Sequence, residues 1–406
     1  MDAINFIRAL SFGNFRTTLT EFQRQWKFAL RHAHAGPDYA EAFFSAAFAT
    51  QLGTERLPFT PTDNLSPVEQ KDQARFYVRE QSLRWSEKVC SNTVYFPPEH
   101  LLRAFAGFDM LDITPPTDFF KLWKATSLAH MRSMNPLQLT QVAKKLSQHA
   151  LYPSDEWMDA WTDTVCQQAD DFDDPNIYDA VYALAILDRL RPRMDEHDSP
   201  YRDMALSMLD YVAKSLERKG EHVAKSQIYF AALWFGHDLI ERSMCEVEDT
   251  NVSKIERDVA AVLQALDIPS YPDDFVISGM GHKVDLCRVY NNAVFALEVD
   301  GAYHFKIDVE QRLARYDGST RIQSSFIDRM SDDNVRILRV PASVCSIFNK
   351  TPQCWVDLFR QASRLTDPSI HIVHPSSELR PIHDDSAWEF PIKDPYRWGA
   401  SFRAPR

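Results

Sequence analysis

Upstream of Tyr271 apolar residues recur at intervals of three and four, the period of helices that bury one face. Pro and clusters of Asp, Ser and Thr punctuate this pattern, and a repeat of about 38 residues runs through it. PPEHLLRAFAGFDML opens at Pro97-Pro98, NPLQLTQVAKKLSQH at Asn135-Pro136 and DPNIYDAVYALAILD at Asp174-Pro175. Asp or Asn ahead of Pro sets a side-chain cap before a residue whose missing N–H is harmless at the first helical position. Pro98, Pro136 and Pro175 are 38 and 39 residues apart. Phe119 and Trp157 lie at equal offsets from their prolines, as do Trp123 and Trp161. A weaker unit starts at Pro37, followed by a Pro/Thr-rich loop over 57–67, and the third unit carries an insertion near RPRMDEHDSPYRD. The spacing predicts stacked helical hairpins, a solenoid, over residues 1–250. The matched aromatics are expected as core contacts between repeats, with base stacking as the other role open to them.

Residues 251–266 read as one amphipathic helix with Ser253 as cap, ended by Ile268-Pro269. The pattern then changes to short strands. Residues 284–290 and 293–299 are rich in β-formers and flank Asn291-Asn292, a pair able to adopt φ > 0. With a two-residue loop, Tyr290 faces Ala293, Asp285 lies opposite Glu298 and Lys283 opposite Asp300. Glu298 and Asp300 share a face. Like charges directly opposite cost a sheet roughly 0.2–1 kcal/mol, so three converging acids ask for a reason. Mg²⁺, which prefers carboxylate oxygens, is one. Beyond the hairpin come a polar stretch at 306–316, DGST, a helix over 321–330, a turn at Asp332-Asp333-Asn334, a strand over 335–344 and a helix over 351–365. Residues 366–406 lack periodicity and read as an irregular tail that either wraps the body or is disordered. The expected fold class is α+β and multidomain: helical repeats over 1–250, a small α/β domain over 251–365, and the tail.

The net charge of −12 argues against binding nucleic acid through bulk electrostatics. Residues 272–365 hold twelve Lys+Arg and twelve Asp+Glu, so the acidity lies elsewhere and any nucleic-acid contact must be local. The six cysteines are dispersed, without CxxC or zinc-ligand spacing, as in a reducing compartment. No window of about 18 residues is free of charge and apolar enough to span a membrane. The basic first 35 residues fit either an organelle transit peptide or an ordinary first helix built on Phe6, Ile7, Leu10, Phe12 and Phe15. No secretory signal peptide is present. Gly279-Met280-Gly281 reads as a loop, and no GxSxG or HExxH occurs. His374, His383 and Asp384-Asp385 read as solvated.

The set VDL, FALEVDGAYHF, DGST followed by a helix, and VRILRVP resembles the RAP domain, named for RNA-binding proteins abundant in apicomplexans. The resemblance covers roughly 60–90 residues, and the upstream hairpins look like octotricopeptide-type repeats, which RAP domains often follow. Together these imply an RNA-binding protein acting on organelle transcripts, in processing, stability, translation or ribosome assembly. They place it in a mitochondrion or other organelle, or in the cytoplasm of a bacterium. RAP domains are similar in fold to PD-(D/E)xK nucleases. On that pattern Asp285 matches the first acid and Glu298 the second, while Asp300 falls where the nucleases place Lys. His304 follows the ExD as in very-short-patch-repair-like relatives, and Lys283 can stand in for the missing Lys. A Mg²⁺-dependent endoribonuclease would hold its metal on Asp285, Glu298 and Asp300, with His304 moving a proton. Phosphate contacts fall to Arg321, Arg329, Arg336 and Arg339. The other reading is a hydrogen-bonded polar cluster in a degenerate nuclease fold that only binds RNA. From a different class comes a protein-interaction or assembly factor whose acidic helical region grips a basic partner. Lys and Arg gathered on the inner face of the repeats would favour RNA, Asp and Glu a basic protein.

Overall fold

The computed structural model describes residues 3–11, 16–33, 36–51, 58–62, 65–91, 96–192, 199–219, 226–237, 252–270, 276–277, 282–330, 335–365 and 370–393. By contact the chain forms two units. Among the described residues the first comprises those up to Ala180, Lys306–Ala314 and Ile392 with Lys393, and the second those in Val181–Phe305 and Arg315–Pro391.

The first unit is built from α1 (Ala3–Ser11), α2 (Leu19–His32), α3 (Gly36–Ala49), α4 (Pro67–Ser91), α5 (Pro98–Met110), α6 (Thr117–His130), α7 (Pro136–Gln148), α8 (Asp155–Gln167) and the start of α9 (Asp174–Arg189). The helices pack in two layers: α1 on α3, α3 on α5 and α5 on α7, beside α2 on α4, α4 on α6 and α6 on α8. Local signals set the boundaries. Asn135 and Gln138 form a reciprocal capping box on α7, and the Ser154 hydroxyl accepts the Trp157 N–H on α8. The aromatics at matched offsets lie in the core between the helices. Trp123, Trp157 and Trp161 are fully buried, and Trp123 stacks on Trp157 at 6.4 Å between ring centroids. Each of the last two indoles also satisfies its N–H. Trp157 donates to Ser127 Oγ at 2.9 Å and Trp161 to the Leu139 carbonyl at 3.0 Å. Gly107 lets α5 approach α3, since a Cβ there would stand 2.6 Å from the Phe43 ring. Of the residues expected in the first helix, Phe6, Ile7 and Leu10 are buried, while Phe12 and Phe15 lie outside the described residues.

Residues 306–314 complete this unit from far along the chain. Ile307 bridges to Ile113, and its carbonyl accepts the Thr114 N–H at 2.8 Å. Glu310 caps α6, accepting from Thr117 N–H at 2.9 Å and from the Thr117 hydroxyl at 2.7 Å. Lys306 and Lys145 meet Asp109 at 2.9 and 2.7 Å. Burial opposes the Asp109 charge, but Lys306 and then Lys145 outweigh it and hold the acid below the usual carboxylate range. His149, buried beside this cluster with its ring 5.1 Å from Phe105, is kept neutral by burial and by Lys306.

The second unit holds α10 (Arg202–Lys219), α11 (Ser226–Phe235), α12 (Lys254–Ala265), β1 (Val276–Ile277), β2 (His282–Lys283), β3 (Leu286–Tyr290) and β4 (Ala293–Asp300). β5 (Phe305–Asp308) past its first residue and the first half of β6 (Leu313–Tyr316) belong to the first unit. The second unit continues with α13 (Gly318–Met330), β7 (Val335–Pro341), α14 (Ala342–Lys350), α15 (Gln353–Ala362), β8 (His371–Val373), β9 (Leu379–Pro381) and β10 (Glu389–Pro391). The main sheet runs β3-β4-β7-β8-β9, with β4, β7 and β8 parallel and antiparallel pairs at both edges. One face, carrying Phe295, Leu297, Leu338 and Val340, packs against Val259 and Leu263 of α12 and Phe348, Trp355 and Phe359 of α14 and α15. Alternation therefore turns Glu298, Asp300 and Arg339 to the opposite face. As expected, α12 is capped by Ser253 in a box with Glu256.

Four expectations change. The polar stretch 306–316 lies largely in β5 and β6, whose turn is closed by Arg312 at φ +55°. The strand over 335–344 stops at Pro341, which stands as N-cap of α14. The helix predicted over 321–330 starts at Gly318, because Asp317 caps it by accepting the Thr320 N–H at 2.8 Å. Part of the tail is regular: β8 lies along β7, β9 pairs with β8, and β10 joins β6 and β5. The turn at Asp332-Asp333-Asn334 and the Gly279-Met280-Gly281 loop lie outside the described residues. Trp161→Ala is expected to destabilise the first unit by about 3–5 kcal/mol, measured by chemical denaturation against wild type.

Candidate functional site

The acidic site is positioned by the β3–β4 hairpin. Asn291 and Asn292 both adopt positive φ, +49° and +63°, as a two-residue hairpin turn of the primed type requires. Tyr290 pairs with Ala293 and the ladder continues to Leu286 with Leu297, the register expected. One step further Asp285 meets the end of β4, where its Oδ2 accepts the Val299 N–H at 2.6 Å. The ladder does not reach Lys283. That residue pairs through its backbone with Val276 in a separate two-stranded sheet, so the expected apposition with Asp300 is not made there. The Lys283 side chain lies outside the described residues.

Asp300 belongs to a buried ion pair. Arg339 donates through Nη2 to Asp300 Oδ1 and through Nε to Oδ2, the latter at 3.1 Å, and both residues are 1% exposed. This two-point geometry matches the guanidinium fork to the carboxylate. Tyr316 adds its hydroxyl to Oδ2 at 2.9 Å, and Arg339 Nη1 donates to Ser324 Oγ at 3.2 Å. Burial alone would weaken the Arg339 charge, yet Asp300 and then Glu298 reverse this and strengthen its hold on its proton. Glu298 is 6% exposed and sits beside Arg339 in the parallel β4–β7 register. Asp285 is the opposite case. Burial first, and then the neighbouring Glu298, push its acid up to about 8, so it is protonated at neutral pH. His304 Nδ1 lies 2.9 Å from the Thr320 hydroxyl, and its Nε2 stands 4.0 Å from Asp300 Oδ1.

Mg²⁺ takes six oxygens in an octahedron, as a rule one or two free carboxylates completed by water. The residues expected to hold it do not fit. Both Asp300 oxygens are taken by Arg339, and one Asp285 oxygen accepts a backbone N–H. Among the described residues no three His, Cys, Asp or Glu side chains are grouped to hold a metal ion. Asp300 is instead bonded to Arg339 and Tyr316, with Arg339 also bonded to Ser324.

The basic residues expected at phosphate divide. Arg339 is enclosed by the pair just described, so its assignment to a phosphate is corrected. Arg336 points at the end of α15 and donates to the Leu365 carbonyl at 2.8 Å, an intramolecular role that also replaces the phosphate one. Arg321 lies on α13 with its guanidinium over Trp388, and the Arg329 side chain lies outside the described residues. In the first unit, a cavity of about 560 Å³ runs across α5, α7 and α9. Its lining mixes Arg103, Lys144 and Lys145 with Glu99 and Asp179, and Lys144 pairs with Asp179 at 2.6 Å. The roles of Arg339 and Tyr316 escaped the sequence reading because both reach Asp300 across the sheet from distant segments. The available signal was two Arg residues, Arg336 and Arg339, in an otherwise apolar strand.

No family model matches this chain, and none of the curated proteins is detectably similar to it.

Arg339→Met is expected to cost roughly 3–5 kcal/mol by leaving Asp300 buried without its counter-charge, read from urea unfolding. Asp285 binds its proton more tightly folded than unfolded. Its contribution is therefore complete below pH 4 and fades as pH rises towards 8. Asp285→Asn should remove that decline, gaining on wild type by up to about 1.4 kcal/mol per pH unit across this window, with thermal melts from pH 4 to 8 as the check.

Proposed function

We propose that this chain is an RNA-binding protein in which a helical-hairpin solenoid precedes a degenerate PD-(D/E)xK-like domain that binds without cleaving. The observation that carries the non-catalytic part is the two-point Arg339–Asp300 pair, which occupies the position where a nuclease keeps a free base beside its metal. The antiparallel β3–β4 hairpin followed by parallel β7, with acids at the end of β4, supports the nuclease-like ancestry. The resemblance to RAP domains supplies the RNA, and the two helix layers support the repeat reading. Asp285, Glu298, Asp300 and His304 then act as the polar frame of the domain, and contact with RNA falls to cations elsewhere on the surface. Such contact is electrostatic and weakens with salt. Fluorescence anisotropy with labelled single-stranded RNA should show salt-sensitive binding that Mg²⁺ and EDTA leave alike, with the RNA recovered at full length. Mg²⁺-dependent cleavage lost in Glu298→Ala would overturn the non-catalytic reading.

A further inference from the structure

Three arginines from separate segments of the second unit converge at α13. Arg321 is on its first turns, Arg189 ends α9, and Arg315 lies on β6. Ser325 ties two of them together, since its hydroxyl donates to the Arg321 carbonyl at 3.1 Å and accepts from Arg189 Nε at 3.0 Å. Arg315 pairs with Glu389 at 3.2 Å. Arg321 itself is held from two sides. Its Nε donates to the Tyr316 carbonyl at 3.2 Å, and its guanidinium carbon stands over the Trp388 ring, 5.5 Å from the centroid. Among the described residues its two terminal nitrogens meet no acceptor. The carboxylates acting most strongly on it are Glu389 and Asp385.

Such an arrangement costs the protein something. Burial draws Arg321 down to about 10, and the like charges of Arg315 and Arg189 add to this against the pull of Glu389 and Asp385. A guanidinium fixed in orientation, with its outward donors unused and other cations beside it, is preorganised for an oxyanion. Trp388 comes from the segment read as tail, so the seat is assembled only once that segment docks.

We propose that Arg321, flanked by Arg189 and Arg315 and backed by Trp388, is a phosphate-binding seat. Resting on the RNA reading above, its ligand is a phosphate of the RNA backbone. The same chemistry would accept free phosphate, and the experiment separates the two. Binding of a labelled single-stranded RNA is measured across a salt series for wild type, Arg321→Gln, Arg321→Lys and, as a control exposed on α12, Arg257→Gln. In parallel, the guanidinium NMR resonances of wild-type Arg321 are followed while phosphate replaces chloride at constant ionic strength. The seat predicts that Arg321→Gln weakens RNA about tenfold and lowers the salt slope by about 0.7, the loss of one phosphate contact on a single strand. Arg321→Lys should recover only part of this, because the planar fork is lost, and Arg257→Gln should bind as wild type. Phosphate should shift the Arg321 resonances. If wild type binds no RNA yet phosphate shifts them, the seat stands and the RNA reading falls. If wild type binds RNA and folded Arg321→Gln keeps its affinity and slope, the seat is overturned while the RNA reading stands. Should Arg321→Gln fail to fold, the wild-type resonances decide, and their indifference to phosphate overturns the seat.

Discussion

The buried Asp300–Arg339 pair is the constraint around which the second unit is arranged. Two charges taken out of water are tolerated only with close geometry and with their remaining donors and acceptors satisfied. Tyr316 and Ser324 meet that demand, one from the end of β6 and the other from α13. The pair thus fixes where β6 and α13 lie on the sheet face opposite the apolar cluster. Burial and Asp300 together keep the Tyr316 hydroxyl protonated, so it remains a donor to the carboxylate. The crowding of three acids at one end of β4 is relieved without a metal. Asp300 is neutralised by Arg339, Asp285 keeps its proton, and Glu298 lies beside the same guanidinium.

Elements written in local signals were legible. The Asn-Asn turn set the hairpin register to the residue, Ser253 placed the start of α12, and the offset tryptophans marked buried core positions. What depended on distant partners was not. β5 and β6 carry charged residues that read as loop, yet Lys306 and Glu310 serve Asp109 and the N-terminus of α6, nearly 200 residues away in sequence. The strands of the tail are three residues each, too short for an alternating pattern to declare itself, and they exist because β7 and β6 offer edges to them. In the site, the sequence pointed to the acids but not to the arginine that partners Asp300. An arginine in a strand reads as a surface cation until the neighbouring strand is known to present a carboxylate.

The metal reading and the phosphate reading part on the same physical ground. Charge that is satisfied inside the protein has little left for a ligand, which removes Arg339 and Asp300 from consideration and leaves Arg321, whose fixed orientation is provided by a carbonyl and an aromatic face instead of a carboxylate.

The tip of the β5–β6 hairpin has a consequence for how the protein comes into being. Asp109, Ile113 and the start of α6 are made early, but Lys306, Ile307 and Glu310, which complete them, leave the ribosome well over a hundred residues after Ala180. At ordinary elongation rates that is a wait on the order of ten seconds. During it Asp109 has Lys145 alone as its cation, and α6 begins without its carboxylate cap. The helical unit is therefore not a module that finishes before the sheet begins, and a chain cut anywhere between the two would leave the earlier half with the gaps that the later half was made to fill.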